Sequence, residues 1–404
     1  MAANKNYASG AAPESVLERF LKTAPGLEVW WDSSPLVYPN WSNELVESVA
    51  TEKREVLAGQ LKRWYDAEDP GATLFAGVTT NPPLSLAAMK NDPERWEAWI
   101  KNYQQAHPKA DVEEIFWSLY KEIVRLGAEE MLPLFESSGY TKGYLSGQVD
   151  PRIFFDEETM LRQALELAAL SPNVMVKIPG SREGVNVLRE LTARGIATNC
   201  TSGYIVPQFV AVAEAVNDGL IIARANGVDL RQWRSVVTYM SARWENAPVF
   251  VEQANKLGIP LSDADRRWAG VAIFKNAYKI YRERAYASKM LVCSVRMGPD
   301  ENGTVHCAHL EEMAGADAVF TLPPNFLGKL FTDGENIDFE SRVWKDIPEE
   351  VMQRLQKIPY FMESYEPDGM KQDDFNTIAP LVSTFTEFSG ATQKMVDFVK
   401  ERMD

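Results

Sequence analysis

Residues 173–180 have the sequence Asn-Val-Met-Val-Lys-Ile-Pro-Gly, and this stretch decides the fold. Its apolar residues favour a buried strand, which the Pro-Gly pair then ends. Lys177 lies inside the apolar run, and lysine is almost never fully buried without a reason. At the carboxyl end of a barrel strand the reason is usually chemical, because a desolvated amine loses its proton more easily and can attack a carbonyl. The alternative is a lysine whose charged end reaches solvent.

The composition narrows the class of protein. The chain has 404 residues, of which 45% are hydrophobic and 25% charged, and its formal net charge is −15. This charge argues against a nucleic-acid partner or an anionic membrane surface, although a local basic pocket for a phosphate remains compatible with it. Three cysteines do not form a disulfide framework and indicate a reducing compartment. We find no signal peptide and no apolar run of the ~20 residues that a membrane helix needs, so we expect a cytoplasmic protein.

Eight short apolar stretches are predicted to be strands, and most of them are separated by helical patterns. They are 27–32, 73–82, 143–150, 173–180, 195–201, 236–241, 289–296 and 318–323. Alternating strands and helices predict a parallel sheet, and eight such strands close naturally into a barrel. The predicted fold is therefore α/β, a (β/α)8 TIM barrel with eight parallel strands, additional N-terminal helices and a helical C-terminal tail.

The predicted helices frame these strands and extend past them. They cover 15–21, 40–65, 157–169, 184–193, 206–217, 266–284, 306–313, 349–356 and 390–402, with about sixty further helical residues before the third strand. The acidic linker at 333–338 is the one plausible boundary, and the segment after this linker is short for a second domain. We therefore expect one domain over 1–404, with the barrel at about 27–331 and a packed helical tail at about 332–404.

Polar residues recur at the carboxyl ends of the predicted strands, which point at one shared mouth in such a barrel. They are Asp32, Thr80, Asn81, Gln148, Lys177, Asn199, Thr201, Thr238, Arg243, Ser294 and Arg296. Some have a structural alternative: Asn81 could cap the next helix and Asp32 could be a turn residue. As a set, they supply an amine nucleophile, an acid–base group, hydroxyl-binding groups and phosphate-binding arginines, as carbonyl chemistry on a phosphorylated sugar requires.

Four motifs carry a resemblance to a known family. They are Gly77-Val-Thr-Thr-Asn-Pro82, Val149-Asp-Pro-Arg152, Pro172-Asn-Val-Met-Val-Lys-Ile-Pro179 and Gly195-Ile-x-x-Asn-x-Thr201. With these, the chain resembles the bacterial long form of the transaldolase family of class I Schiff-base enzymes, over essentially its whole length. The resemblance implies a transferase of carbohydrate metabolism and the pentose phosphate pathway. Such an enzyme moves a dihydroxyacetone unit between sugar phosphates.

The resemblance also implies roles for the matched residues. Lys177 would form the Schiff base, and Asp32 would move the hydroxyl proton when the carbon–carbon bond breaks or forms. Thr201 would help to position the catalytic water. The remaining residues would bind substrate: Asn81 and Asn199 the donor hydroxyls, Arg243, Ser294 and Arg296 the phosphate, and Thr80 and Thr238 the same substrate, with Thr238 at a position where the family usually has serine.

Gln148 departs from the family pattern, which usually has a glutamate there. That glutamate assists proton transfer through water during imine formation, whereas an amide can orient water but cannot ionise. Glutamine at this place is familiar from the related fructose-6-phosphate aldolases, which favour free dihydroxyacetone. The pocket wall at 202–205 also differs, and Gly180-Ser181 replaces the usual Ala-Thr. One alternative is therefore an aldolase that uses free dihydroxyacetone, and another is a barrel that binds a sugar phosphate without catalysis.

No cofactor is expected. His306 and His309 flank Cys307 at a spacing that suits two metal ligands, but no further cluster completes a site. Glycine-rich nucleotide-binding loops are absent from the sequence. We therefore expect no metal, nucleotide or organic cofactor, and small-molecule sugar phosphates as ligands without a nucleic-acid or membrane partner. The sequence leaves the oligomeric state open.

Overall fold

The computed structural model describes residues 12–299 and 303–403, and its centre is a closed barrel of eight parallel strands in chain order. The strands are β1 (Glu28–Trp31), β2 (Gly77–Thr79), β3 (Tyr144–Gln148), β4 (Val174–Pro179), β5 (Thr198–Gly203), β6 (Ser235–Met240), β7 (Lys289–Cys293) and β8 (Val319–Leu322). Strands β1 and β8 pair from Glu28 with Val319 onward, which closes the sheet. The predicted (β/α)8 TIM barrel is confirmed.

The register brings three predicted site residues to one level. Gln148 pairs with Lys177 across β3 and β4, and Lys177 pairs with Asn199 across β4 and β5. Paired residues of neighbouring parallel strands point to the same face of the sheet, about 5 Å apart. The side chains of these residues therefore form part of one layer near the carboxyl ends of the strands.

The lower part of the barrel is filled with large side chains. The indole of Trp30 on β1 is fully buried and lies across Gly77 at the start of β2. A Cβ at this glycine would come within 2.6 Å of the indole ring. Glycine is therefore required there, because a larger residue would displace the tryptophan that closes the barrel below the site.

The helices surround the barrel and extend beyond it. They are α1 (Val16–Leu21), α2 (Tyr38–Ser48), α3 (Thr51–Trp64), α4 (Pro82–Asn91), α5 (Pro93–Ala106), α6 (Val112–Ser137), α7 (Glu157–Ala168), α8 (Arg182–Ala193), α9 (Val206–Ala225), α10 (Ser241–Glu245), α11 (Pro248–Lys256), α12 (Asp263–Glu283), α13 (Ala308–Met313), α14 (Pro324–Asp333), α15 (Glu349–Leu355), α16 (Pro359–Tyr365) and α17 (Ala379–Lys400). The first turn of α1 has a capping box between Ser15 and Glu18.

Several predicted boundaries were wrong. The predicted helix 40–65 is divided into α2 and α3, because Val49 is extended and Arg54 donates to the carbonyls of Glu47 and Val49 at the end of α2. Strand β5 begins three residues later than predicted, since Gly195 has a φ of +75° and belongs to the turn after α8. Helix α17 begins eleven residues before the predicted 390, and helices α10, α11, α14 and α16 were not predicted.

The prediction that no apolar run reaches the length of a membrane helix was wrong for helix α9. Its 20 residues, Val206–Ala225, are long and apolar enough to span a bilayer, and it is the one such helix within the described ranges. Two thirds of its apolar window is buried inside the protein (67%), as in the core helix of a globular fold. The length and composition of α9 are therefore weak evidence for a membrane span, because the helix packs against α8 and the barrel.

The C-terminal helix α17 packs on the barrel near its mouth. Thr384 of α17 is hydrogen-bonded to Tyr204, which follows β5, with 2.6 Å between the two hydroxyl oxygens. Phe385 contacts the rings of Phe154 and Phe155, which follow β3. These contacts bring α17 beside the carboxyl ends of the strands.

Candidate active site

Lys177 lies on β4 with only 5% of its surface exposed. Its Nζ donates a hydrogen bond to the carbonyl oxygen of Thr80 at 3.0 Å. Burial lowers the pKa of this amine, while the nearby charge of Asp32 acts in the opposite direction. A larger fraction of Lys177 is therefore neutral at a given pH than of an ordinary lysine, and only the neutral amine is a nucleophile.

Asp32 follows β1 directly and belongs to a short chain of hydroxyl groups. Thr79 Oγ1 donates to Asp32 Oδ1 at 2.6 Å, and Thr79 Oγ1 lies 2.5 Å from Thr321 Oγ1. Burial raises the pKa of Asp32, and both the positive charge of Lys177 and the hydrogen bond from Thr79 oppose that rise. Asp32 is therefore placed to exchange a proton, since a raised pKa brings a carboxyl group closer to neutral pH.

A second hydrogen-bond chain crosses the barrel next to Lys177. Thr238 on β6 donates to Asn199 Oδ1 at 2.7 Å, and Asn199 Nδ2 donates to Ser146 Oγ on β3 at 3.0 Å. All three side chains are buried. The chain fixes the orientation of the Asn199 amide, so that its position relative to Lys177 is set before any substrate arrives.

Gln148 is fully buried, and neither atom of its side-chain amide has a hydrogen-bond partner within the described part of the chain. Leaving a buried amide unpaired costs free energy, so such groups usually mark a position that a ligand or water satisfies. Its backbone is held firmly, since the Tyr120 hydroxyl accepts from Gln148 N at 2.9 Å and donates to its carbonyl at 2.7 Å. Gln148 is thus a fixed residue beside Lys177 with an amide still available for bonding.

Strained backbone occurs at the ends of two barrel strands. Ser202 in β5 has a φ of +54°, and Ser294 directly after β7 has a φ of +58°. Non-glycine residues in this left-handed region cost free energy and concentrate at functional sites. The Ser202 hydroxyl is buried without a hydrogen-bond partner among the described residues. Thr201, the residue before it, is also buried, and its carbonyl accepts from Gly180 N at 2.6 Å.

The two predicted phosphate arginines lie in different surroundings. Arg243 is on α10, and its guanidinium makes two hydrogen bonds to the carboxylate of Glu387 on α17, at 2.6 and 2.9 Å. Arg296 is more exposed, and its Nη1 donates to the carbonyl of Val295 at 3.1 Å. The backbone N–H of Arg296 donates to His309 Nδ1 at 3.0 Å, so this arginine has a fixed base and a freer end.

His309 has a structural environment. Since its Nδ1 accepts the Arg296 N–H, the proton is on Nε2, which faces Glu245 Oε1 at 2.6 Å. Arg267 bonds to the same carboxylate, and burial lowers the pKa of His309. Within the described ranges, no group of three or more His, Cys, Asp or Glu side chains could hold a metal ion.

An open cavity at the carboxyl ends of the strands collects most of the predicted site. It encloses about 180 Å³ of space accessible to water. The predicted residues that line it are Asp32, Asn81, Lys177, Thr238, Arg243, Ser294 and Arg296. Asn81 also caps α4, with its Oδ1 accepting from Leu84 N at 3.0 Å. The other four predicted residues are buried and do not line this cavity: Thr80 directly after β2, Gln148 on β3, and Asn199 and Thr201 on β5.

Several lining residues were not among the predicted ones. They are Thr79, Pro83, Leu84, Met240, Leu291, Cys293, Thr321, Pro323, Glu387 and Phe388. Of two neighbouring threonines, Thr79 lines the cavity, while Thr80 Oγ1 donates to the backbone of Ser146 at 2.7 Å. Strand alternation could have found Thr79, whereas Glu387 and Phe388 come from the distant α17 and have no local signal.

The fold and the site together define a (β/α)8 barrel whose mouth holds a buried amine, a partly buried carboxyl group and two arginines. The sequence model of the Transaldolase/Fructose-6-phosphate aldolase family matches residues 71–379. This match covers well over half of the chain, from before β2 to the start of α17. The chain therefore belongs to the Transaldolase/Fructose-6-phosphate aldolase family, as the resemblance of its motifs implied.

Individual relatives agree with the family match. The chain is 30% identical over 278 residues to a transaldolase of Thiobacillus denitrificans, covering 65% of this chain and 75% of the relative. It is 25% identical over 296 residues to transaldolase 2 of Streptomyces avermitilis, covering 70% and 77%. It is also 30% identical over 228 residues to a transaldolase of Mycobacterium tuberculosis, covering 56% and 58%. The protein is a transaldolase-like enzyme.

Proposed function

We propose that the protein transfers a dihydroxyacetone unit between sugar phosphates through an imine at Lys177. The observation that carries this proposal is the burial of Lys177 on β4, with a lowered pKa, next to the partly buried carboxyl group of Asp32, whose pKa is raised. Burying a lysine outside an ion pair costs free energy. A nucleophilic role would account for this burial, because burial favours the neutral amine that attacks a carbonyl.

The proposed reaction begins at the amine of Lys177. Its Nζ attacks the ketose carbonyl, and loss of water gives an iminium ion. Asp32 removes the proton from the hydroxyl on the carbon that will become the aldehyde. The carbon–carbon bond then breaks, its electron pair moves into the iminium group to form an enamine, and the aldehyde leaves. The enamine next attacks an acceptor aldehyde, Asp32 returns the proton, and water hydrolyses the new imine to free Lys177.

The remaining residues would position the two sugars. Asn199, held by Thr238 and Ser146, lies behind the cavity wall, so it would act on the hydroxyls of the three-carbon unit through Thr238, which lines the cavity. Ser294 and Arg296, with Arg243, line the outer part of the cavity, where the phosphate end of a sugar would lie. Oriented polar groups near Lys177 and two arginines at the far end suit an enzyme that retains one fragment while exchanging the other.

The test is transfer of an isotope-labelled unit. A ketose phosphate labelled with ¹³C in its first three carbons is incubated with an unlabelled aldose phosphate, and the products are analysed by mass spectrometry. We expect the label in a new ketose phosphate, and its loss in Lys177→Met. Lys329→Met is the matched control, because Lys329 is exposed on α14 away from the cavity. Absence of labelled product with any aldose phosphate would contradict the transferase proposal.

One observation favours an aldolase that uses free dihydroxyacetone as a second candidate. Gln148 stands where the resemblance places a glutamate, and its buried amide has no partner among the described residues. An amide cannot exchange protons with water, so release of the unit from the imine would follow another path. The two candidates are separated by the same experiment without an acceptor, since an aldolase would release labelled dihydroxyacetone while a transferase would keep it on Lys177.

A further inference from the structure

Arg243 is bound by the C-terminal helix. Both carboxylate oxygens of Glu387 accept hydrogen bonds from the Arg243 guanidinium, at 2.6 and 2.9 Å, in a bidentate ion pair. Its Nη1 also lies 3.4 Å from Thr384 Oγ1, and its guanidinium carbon lies 5.4 Å from the centre of the Phe388 ring. Three residues of α17 therefore hold one of the two arginines that are expected to bind the phosphate.

Arg296, which follows β7, has no such partner. No carboxylate oxygen of the described residues lies within 4.0 Å of its guanidinium, although both arginines and Glu387 line the same cavity. The outer part of the cavity thus holds two cations and one anion. Its net charge is about half of what two free arginines would provide to a phosphate dianion.

Glu387 carries its negative charge at neutral pH. Its hydrogen bonds with Arg243 lower the pKa of the Glu387 carboxyl group. A phosphate dianion in this cavity would meet that charge at close range and would have to compete with it for the same guanidinium. An uncharged hydroxymethyl end of a sugar is not repelled by Glu387. It can also accept a hydrogen bond from Arg296 without displacing Glu387 from Arg243.

The backbone of α17 is held in place, so that Glu387 cannot leave the mouth by a simple movement of the helix. Thr384, one turn before Glu387, is bonded to the buried Tyr204, and Phe385 packs on the rings of Phe154 and Phe155. Release of Arg243 therefore requires the Glu387 side chain to turn outward to solvent, to which it is already half exposed.

We propose that Glu387 is a specificity-determining residue that weakens the binding of a phosphate dianion at this end of the cavity and so lowers the preference for phosphorylated over unphosphorylated sugars. The proposal rests on the proposed function for the identity of the reaction, and on the Arg243–Glu387 pair for its direction. It gives a residue of the C-terminal helix a part in choosing between phosphorylated and unphosphorylated sugars.

The test uses Glu387→Gln, which keeps the length and hydrogen-bonding capacity of the side chain but removes its charge. The matched control is Asp397→Asn, which removes the same charge from an exposed site ten residues, or about 15 Å, further along α17. KM is measured for a phosphorylated aldose and for its unphosphorylated analogue. We expect Glu387→Gln to lower KM for the phosphorylated sugar about three- to tenfold, since the pair is partly solvent-exposed, and to leave the other KM unchanged.

Inorganic phosphate provides a readout that needs no turnover. Titration calorimetry should show phosphate binding to Glu387→Gln about three- to tenfold more tightly than to the unmodified protein and to Asp397→Asn. Equal affinities would overturn the proposal, and weaker binding to Glu387→Gln would overturn it by showing that Glu387 orients Arg243 for phosphate. Failure of the proposed function is recognised separately, because it would abolish turnover with every sugar and leave the phosphate titration interpretable.

Discussion

Replacing Asp32 with asparagine should separate imine formation from carbon–carbon bond cleavage. The amide keeps the shape of the carboxylate, and its oxygen can still accept the hydrogen bond that Thr79 donates at 2.6 Å. The variant loses the ability to take up and return a proton. Proton transfer by a positioned side chain contributes about 10²- to 10⁴-fold to a rate, which corresponds to about 2.7–5.5 kcal/mol of barrier. We expect kcat for transfer to fall by that factor.

The effect on Lys177 should have the opposite sign. The negative charge of Asp32 raises the pKa of Lys177, so its removal should lower that pKa further and increase the neutral fraction of the amine at a given pH. Imine formation with dihydroxyacetone should therefore persist in Asp32→Asn, and its dependence on pH should extend to lower pH than in the unmodified protein.

The assay measures both steps on the same protein. Transfer is followed by mass spectrometry of the labelled ketose, and imine formation by borohydride trapping of dihydroxyacetone. Asp317→Asn serves as the control, because Asp317 lies before β8 at the opposite end of the barrel from the cavity. Equal loss of trapping and transfer would refute the reasoning by showing that Asp32 supports the fold or the amine, and unchanged transfer would show that another group moves the proton.

Three further predictions concern contacts around the site. Thr79→Val removes a hydrogen-bond donor that stabilises the charged form of Asp32, so the pKa of the Asp32 carboxyl group should rise. The acid limb of the plot of kcat/KM against pH should therefore move to higher pH. An unchanged profile would contradict the role of Thr79. Gln148→Glu should raise the ratio of the transfer rate to the aldol-cleavage rate. The rise should be greatest at alkaline pH, because burial at this position raises the pKa of the new carboxyl group. A constant ratio would exclude Gln148 as the residue that sets the balance between the two reactions. Tyr204→Phe removes the hydroxyl that lies 2.6 Å from the buried Thr384 hydroxyl. It should lower the free energy of unfolding by about 1–3 kcal/mol in denaturant titrations. Unchanged stability would mean that this hydrogen bond does not hold α17.

Much of the barrel could be predicted because its strands carry local signals. Each strand is a short apolar run ended by polar or turn residues, and the intervening helices have a clear 3.6-residue period. The same regularity predicted that Gln148, Lys177 and Asn199 would lie near the mouth, since strand ends of a parallel barrel share one side. The roles of these residues stay predictions.

The parts that could not be predicted depend on contacts distant in sequence. Glu387 is 144 residues from Arg243, and nothing in the local sequence of α17 indicates that this carboxylate lies at the mouth of the barrel. The pairing of Thr321 with Thr79 spans 242 residues and follows from the closure of the barrel. The break between α2 and α3 was missed because helical periodicity continues across it, while an arginine that caps the first helix ends it.

The central claim is that Lys177 forms an imine with a ketose, and borohydride trapping tests it most directly. The protein is incubated with dihydroxyacetone and with a ketose phosphate, reduced with borohydride, and analysed by intact mass and peptide mapping. We predict one added three-carbon unit, located on the peptide that contains Lys177, and no addition in Lys177→Met. Labelling of another lysine, or no labelling by any ketone in the folded protein, would contradict the claim.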